Sequence, residues 1–149
     1  MGILTQPQKL FILIVITGFA ALFALSYFAL YPLYDATLQP QTAADESLKF
    51  SDWFNKATLL IYAILIFVAN LVYRNTGKAI YLFYAWLFFS AFTLFSYIYM
   101  AEELFHFKKR TGLWKGEFSA AFIGGIFLCL IAATAAFINY VVLKKMARK

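Results

Sequence analysis

Four stretches of this chain, 10–34, 57–73, 79–100 and 118–143, contain no Asp, Glu, Lys, Arg or His. A hydrocarbon layer of roughly 30 Å needs about 20 apolar residues in a helix to cross it, and three of the stretches meet that length outright. The second is short, but Trp53 and Phe54 extend it into the interface, which gives expected spans of about 10–34, 54–73, 79–100 and 118–143. Runs such as Leu10-Phe11-Ile12-Leu13-Ile14-Val15-Ile16 are apolar on every face, so the alternation of a membrane β-barrel is absent. Lipid offers no hydrogen bonds to a backbone, and each span must therefore be helical. The fold expected is all-α: a polytopic integral membrane protein, one domain over 1–149, built as a bundle of four transmembrane helices.

Composition excludes the other classes. Of 149 residues, 64% are hydrophobic, 21% aromatic and 13% charged, whereas a water-soluble domain carries about 25% charged residues. A soluble core of this size has no room for so many apolar side chains, and a disordered chain lacks them. The single cysteine, Cys129, forbids an intrachain disulfide and any zinc site made of cysteines.

Punctuation along the chain agrees with the spans. Thr5-Gln6-Pro7-Gln8 reads as a capping box that opens the first helix. Asn75-Thr76-Gly77 reads as a tight turn, which makes the second and third helices an antiparallel hairpin. The connection 35–52 is polar and contains Pro40, and 101–117 is long enough for an amphipathic stretch lying along the membrane. The first apolar run is about twice the length of a signal-peptide core, so it reads as a retained helix. Met1-Gly2 is followed by Gln6 where a myristoylation signal wants Ser or Thr.

An even number of spans puts both ends on one side, and the 13 basic residues then divide almost evenly. Lys9, Arg74, Lys78, Lys144, Lys145, Arg148 and Lys149 fall with the termini; Lys49, Lys56, Lys108, Lys109, Arg110 and Lys115 fall opposite. All 7 acidic residues lie on the second side. The small excess of positive charge favours both termini in the cytoplasm, in a bacterial inner membrane. The net charge of +6 suits anionic lipid headgroups as partners, and no nucleic-acid-binding fold accompanies it. The surface basic segment Lys108, Lys109, Arg110 and Lys115, interleaved with aromatics, is expected to meet headgroups or an acidic surface.

Between helices in lipid the drive is close packing, so small residues spaced by four mark interfaces. Ala121, Gly125, Cys129 and Ala133, widened by Gly124, form such a ridge on the fourth span, and Gly18 with Ala21 forms a weaker one on the first. The ridges are expected either to hold the bundle together or to dock another membrane subunit or a second copy. The third span carries an aromatic face, Tyr84, Trp86, Phe88, Phe92 and Phe95, fit for packing or for a flat ligand.

Intramembrane ionisable groups are the usual pointer to ion or proton pathways, and the spans have none. Asn70 is the candidate lining of a polar path. Glu103-Leu104-Phe105-His106 has the Glu-x-x-His spacing of di-iron bundles, but those sites need a second such motif and two more glutamates. Glu102 with His106 reads more simply as a helix pair. Cys129 lies deep in a span, with no base in plausible reach to make it a nucleophile. No cofactor or metal is predicted, and the expectation is no enzyme. The leading expectation is a non-catalytic accessory or scaffold subunit of a larger integral membrane complex. The alternative is a homo-oligomeric pore or carrier for a small neutral or hydrophobic solute, followed by a protein that binds a pigment, quinone or metal.

Overall fold

The computed structural model describes residues 4–116 and 121–146, with the side chains of Ala121 and Phe122 left aside. It contains α1 (Gln6–Leu30), a 3-10 turn (Tyr31–Tyr34), α2 (Pro40–Thr76), α3 (Ile80–Phe95), a π turn (Ser96–Met100), α4 (Ala101–Arg110) and α5 (Ala121–Met146). Four helical segments are long and apolar enough to cross a membrane: Gln6–Tyr34, Pro40–Thr76, Ile80–Arg110 and Ile123–Met146. The chain is an all-α, multi-pass membrane bundle.

The ends of the helices follow from local chemistry. At the start of α1 the side-chain oxygen of Gln8 accepts the backbone N–H of Thr5 at 2.8 Å, with Pro7 in the first turn, as a capping box requires. Pro32 ends α1, because its ring and missing N–H do not fit an α-helix interior, and the chain passes into the 3-10 turn. The hairpin between α2 and α3 forms at Gly77, whose φ of 68° is a left-handed conformation that glycine adopts without strain. Its N–H closes α2 on the carbonyl of Tyr73 at 2.7 Å.

Two helices run beyond the expected spans. The second span was expected over about 54–73, and α2, which contains it, begins earlier, at Pro40. Pro40 occupies the first turn, where proline is tolerated, and the polar stretch after it is amphipathic, with Ala43, Ala44 and Ser47 buried. The stretch after residue 100 was expected to lie on the membrane surface as a separate piece. Instead α4 continues α3 through the π turn, as one helical segment from Ile80 to Arg110. No glycine or proline interrupts 80–110, so nothing breaks the helix there. Phe118, the expected start of the fourth span, lies outside the described residues.

Three clusters form the core along the bundle. At the end that carries the termini, Phe11 of α1 meets Leu65, Val68 and Ala69 of α2 and Leu82 and Ala85 of α3. In the middle, Leu22, Ala29, Phe54 and Met100 close together. At the opposite, loop end, Leu33, Ala43, Ala44 and Phe107 form a cap that joins the 3-10 turn, the start of α2 and α4. Gly18 lets α1 approach α2, since a Cβ there would stand 3.1 Å from Ile61 Cγ2. Ala21, expected on the same small-residue ridge, is exposed on the outer side of α1. At 100° per residue Ala21 lies about 60° to one side of Gly18 and Leu22 about 40° to the other, and it is the Leu22 side that packs inward.

Candidate functional site

Of the residues singled out on the third span, Trp86 meets the small-residue ridge of the fourth, in the seam between α3 and α5. Near the loop end the seam is closed by glycine. A Cβ on Gly125 would lie 3.1 Å from Tyr97 Cβ, whereas one on Gly124 would meet only the Tyr97 ring edge at 3.8 Å. Halfway along, the Trp86 indole N–H donates to the Cys129 carbonyl at 3.0 Å. The Cys129 thiol faces the Ser90 carbonyl at 3.9 Å, and the buried Oγ of Ser90 has no hydrogen-bond partner among the described residues. From α2, the Tyr62 hydroxyl donates to the Ala132 carbonyl at 3.0 Å. Helix carbonyls keep a second lone pair after their i+4 bond, so the aromatic donors fasten α5 without breaking its backbone ladder. Of the small-residue ridge, Gly125 and Cys129 are buried within the chain, and Gly124 and Ala133 are half-buried at its sides. The side chain of Ala121 lies outside the described residues.

Asn70 was singled out as a path-lining residue. The structure instead pairs it with Asn139 of α5: Asn139 Nδ2 donates to Asn70 Oδ1 at 2.7 Å, and Asn70 Nδ2 donates back at 3.3 Å. The pairing engages one N–H and the carbonyl oxygen of each amide, so each asparagine meets a polar partner within the bundle. Asn139 is the partner that spacing alone did not reveal, although both asparagines sit just inside an interfacial tyrosine, Tyr73 and Tyr140, and the two rings meet edge-on at 6.0 Å.

The aromatic side chains of α3 divide between two directions. Phe88 and Phe92 pack into the middle cluster, and Phe92 meets Phe19 of α1 at 5.3 Å. Tyr84 and Phe95, on the same stripe by spacing, are exposed at its edges. Trp86 points the other way, into the seam. The expectation of one aromatic face is corrected to a stripe of four with Trp86 opposite, because residues two apart in a helix lie about 200° around it.

Toward the end that carries the termini the seam opens. Ala79, Leu82, Phe83 and Trp86 of α3 and Ala133, Ala136, Phe137 and Tyr140 of α5 line a cleft of about 360 Å³. Small residues stand on both walls here, so the gap is not filled as Tyr97 fills it against Gly125. Phe83 and Phe137 at its rim are half-exposed or more, which opens the cleft sideways to the bilayer. Lys144, one turn beyond Tyr140, places its Nζ over the Tyr140 ring at 5.9 Å.

At the loop end, Lys108, Lys109 and Arg110 occupy the last turn of α4, where positive charge complements the helix dipole, and Lys115 is exposed in the following loop. Glu103 accepts the Tyr34 hydroxyl at 2.7 Å, while His106 Nε2 faces Glu102 at 3.7 Å, four residues back. Asp35 accepts both the hydroxyl and the N–H of Thr37, at 2.6 and 2.9 Å, and these bonds hold its carboxyl below the ordinary aspartate range. No family model matches the chain, and no curated protein or solved structure matches it either.

Proposed function

We propose that the chain is a non-catalytic accessory subunit of a larger integral membrane assembly, and that α5 is the helix that meets its neighbour. The observation that supports this is the peripheral position of α5. Only 11% of its apolar window is buried within the chain, against 22–33% for the other three spans. Gly125, Cys129 and Ala132 are buried along one narrow seam. Its outer side is a ridge of bulky residues, Phe127, Ile131 and Ile138, each more than half exposed. Helix contacts in lipid gain from interlocking side chains rather than from water release, and such a ridge offers knobs to a neighbouring subunit. On this reading both termini face the cytoplasm of a bacterial inner membrane.

Site-specific photo-crosslinking in native membranes tests it. A photoreactive residue at Phe127 or Ile131 is expected to capture a discrete membrane polypeptide in near-stoichiometric yield, while one at Phe23, exposed on α1, captures none. Crosslinks to lipid alone from both helices overturn the reading. Flux of a neutral solute through vesicles that contain only this chain favours the pore or carrier instead.

A further inference from the structure

The cleft between α3 and α5 has a shape and a charge pattern that the subunit reading does not use. Its walls span eight residues on each helix, Ala79 to Trp86 and Ala133 to Tyr140, which is about 10 Å along the bundle axis. The lining is almost wholly hydrocarbon and aromatic, and the long side is open to the bilayer. A volume near 360 Å³ lies at the lower end of the range for small-molecule sites, roughly 300–1,000 Å³, and accommodates a chain rather than a whole lipid. At the interfacial end, positive charge stands on both walls. Lys144 lies over Tyr140, and Lys78 immediately precedes Ala79 at the start of α3. Both lysines are exposed, and neither Asp nor Glu occurs in 69–100 or 121–149. An ammonium held at headgroup level above an apolar slot matches one chemistry: a phosphate with a hydrocarbon tail beneath it.

We propose that this cleft is a binding site for an anionic phospholipid, with one acyl chain lying against Trp86, Ala133 and Ala136 and the phosphate paired with Lys144 and Lys78. The aromatic rings of Phe83 and Phe137 flank the chain, and the small residues provide its depth. The site is independent of the ridge on the opposite side of α5 and does not require a neighbouring subunit to be present.

Trp86 is a built-in reporter, because the other two tryptophans, Trp53 and Trp114, belong to the loop end. The Trp53→Phe, Trp114→Phe protein is reconstituted in phosphatidylcholine vesicles that contain increasing fractions of brominated phosphatidylglycerol or brominated phosphatidylcholine. Quenching of Trp86 is expected at roughly thirtyfold lower mole fraction of the anionic lipid, the scale two lysines near a phosphate supply. Lys78→Gln with Lys144→Gln is expected to abolish that preference while quenching by the zwitterionic lipid persists. Ala133→Phe, which fills the slot, is expected to reduce quenching by both lipids. Equal quenching by the two lipids in the parent protein means ordinary boundary lipid only and overturns the proposal. A preference that survives loss of both lysines overturns it too, as does a Trp86 that neither lipid reaches.

Discussion

Asn139 and Asn70 form a reciprocal amide pair, donating to one another at 2.7 and 3.3 Å across the interface of α5 and α2. The two helices are far apart in sequence and meet at few other polar points, so the pair fixes the rotation of α5 about its own axis. In a double-mutant cycle of Asn70→Leu and Asn139→Leu, the coupling is expected to be about 1 kcal/mol, within the measured range for polar contacts in membrane bundles. Reversible unfolding in mixed detergent micelles measures it. Additive single effects would show that the amides do not interact.

The neighbouring glycines of α5 are not equivalent. Gly125→Val is expected to cost about 1–3 kcal/mol, since its Cβ meets the backbone-bound Cβ of Tyr97, which cannot rotate away. Gly124→Ala has ordinary contact distance to Tyr97 and gains up to about 1 kcal/mol of helix propensity. Thermal stability of the two variants in the same detergent ranks them, and the opposite order would contradict the seam described above.

Phe107 is the largest side chain of the loop-end cap and is about nine-tenths buried beside Leu33, Ala43 and Ala44. Phe107→Ala is expected to destabilise the cap by about 3 kcal/mol through lost contacts and a cavity. Hydrogen exchange of the backbone at Ala43 and Ala44 is expected to accelerate, while Leu65 and Val68, at the other end of α2, keep their protection. Uniform acceleration along α2 would mean that the cap and the spans unfold as one unit.

The carboxylate of Asp35 is favoured by its two bonds from Thr37, so it titrates lower in the folded chain than in the unfolded one. The stabilisation is present above the unfolded value of about 3.9 and is lost as pH falls through the folded value. A carboxyl-carbon titration by NMR is expected to show a depressed midpoint for Asp35, and Thr37→Ala is expected to return it to the ordinary range. An unchanged midpoint in that variant would show that the turn does not form.

What was legible in advance depended on the lipid. The spans are readable because a backbone in hydrocarbon must be helical and uncharged, and the capping box at Thr5 and Gln8 and the turn at Gly77 carry their own signatures. The extension of α2 back to Pro40 was missed because it is amphipathic and polar, so hydropathy passes over it; Ala43, Ala44 and Ser47 at helical spacing behind a proline were the available signal. The continuation through 101–110 was missed because charges at Glu102 and Glu103 mark the end of the apolar run, not of the helix. Within the site, the ridge on α5 was visible as a repeat of small residues, but its partner was not. Tyr97 reaches Gly125 only through a π turn, which spacing rules for an α-helix do not contain. The pairing of Asn70 with Asn139 likewise depends on which face of α5 meets α2, and the small residues fix that face only toward α3.

A π turn holds one residue more than the α turn it replaces, and Ser96–Met100 therefore inserts a phase shift of about 100° between the two halves of the third span. Ser96 anchors the shifted turn by donating to Asn55 of α2 at 2.8 Å. Without the surplus residue, a helix that set Trp86 toward α5 would swing Phe107 a quarter-turn or more out of the cap. The third span thus works as a crankshaft, its two throws set at different angles so that one strut can grip a transmembrane neighbour at one level and clasp a juxtamembrane lid at another.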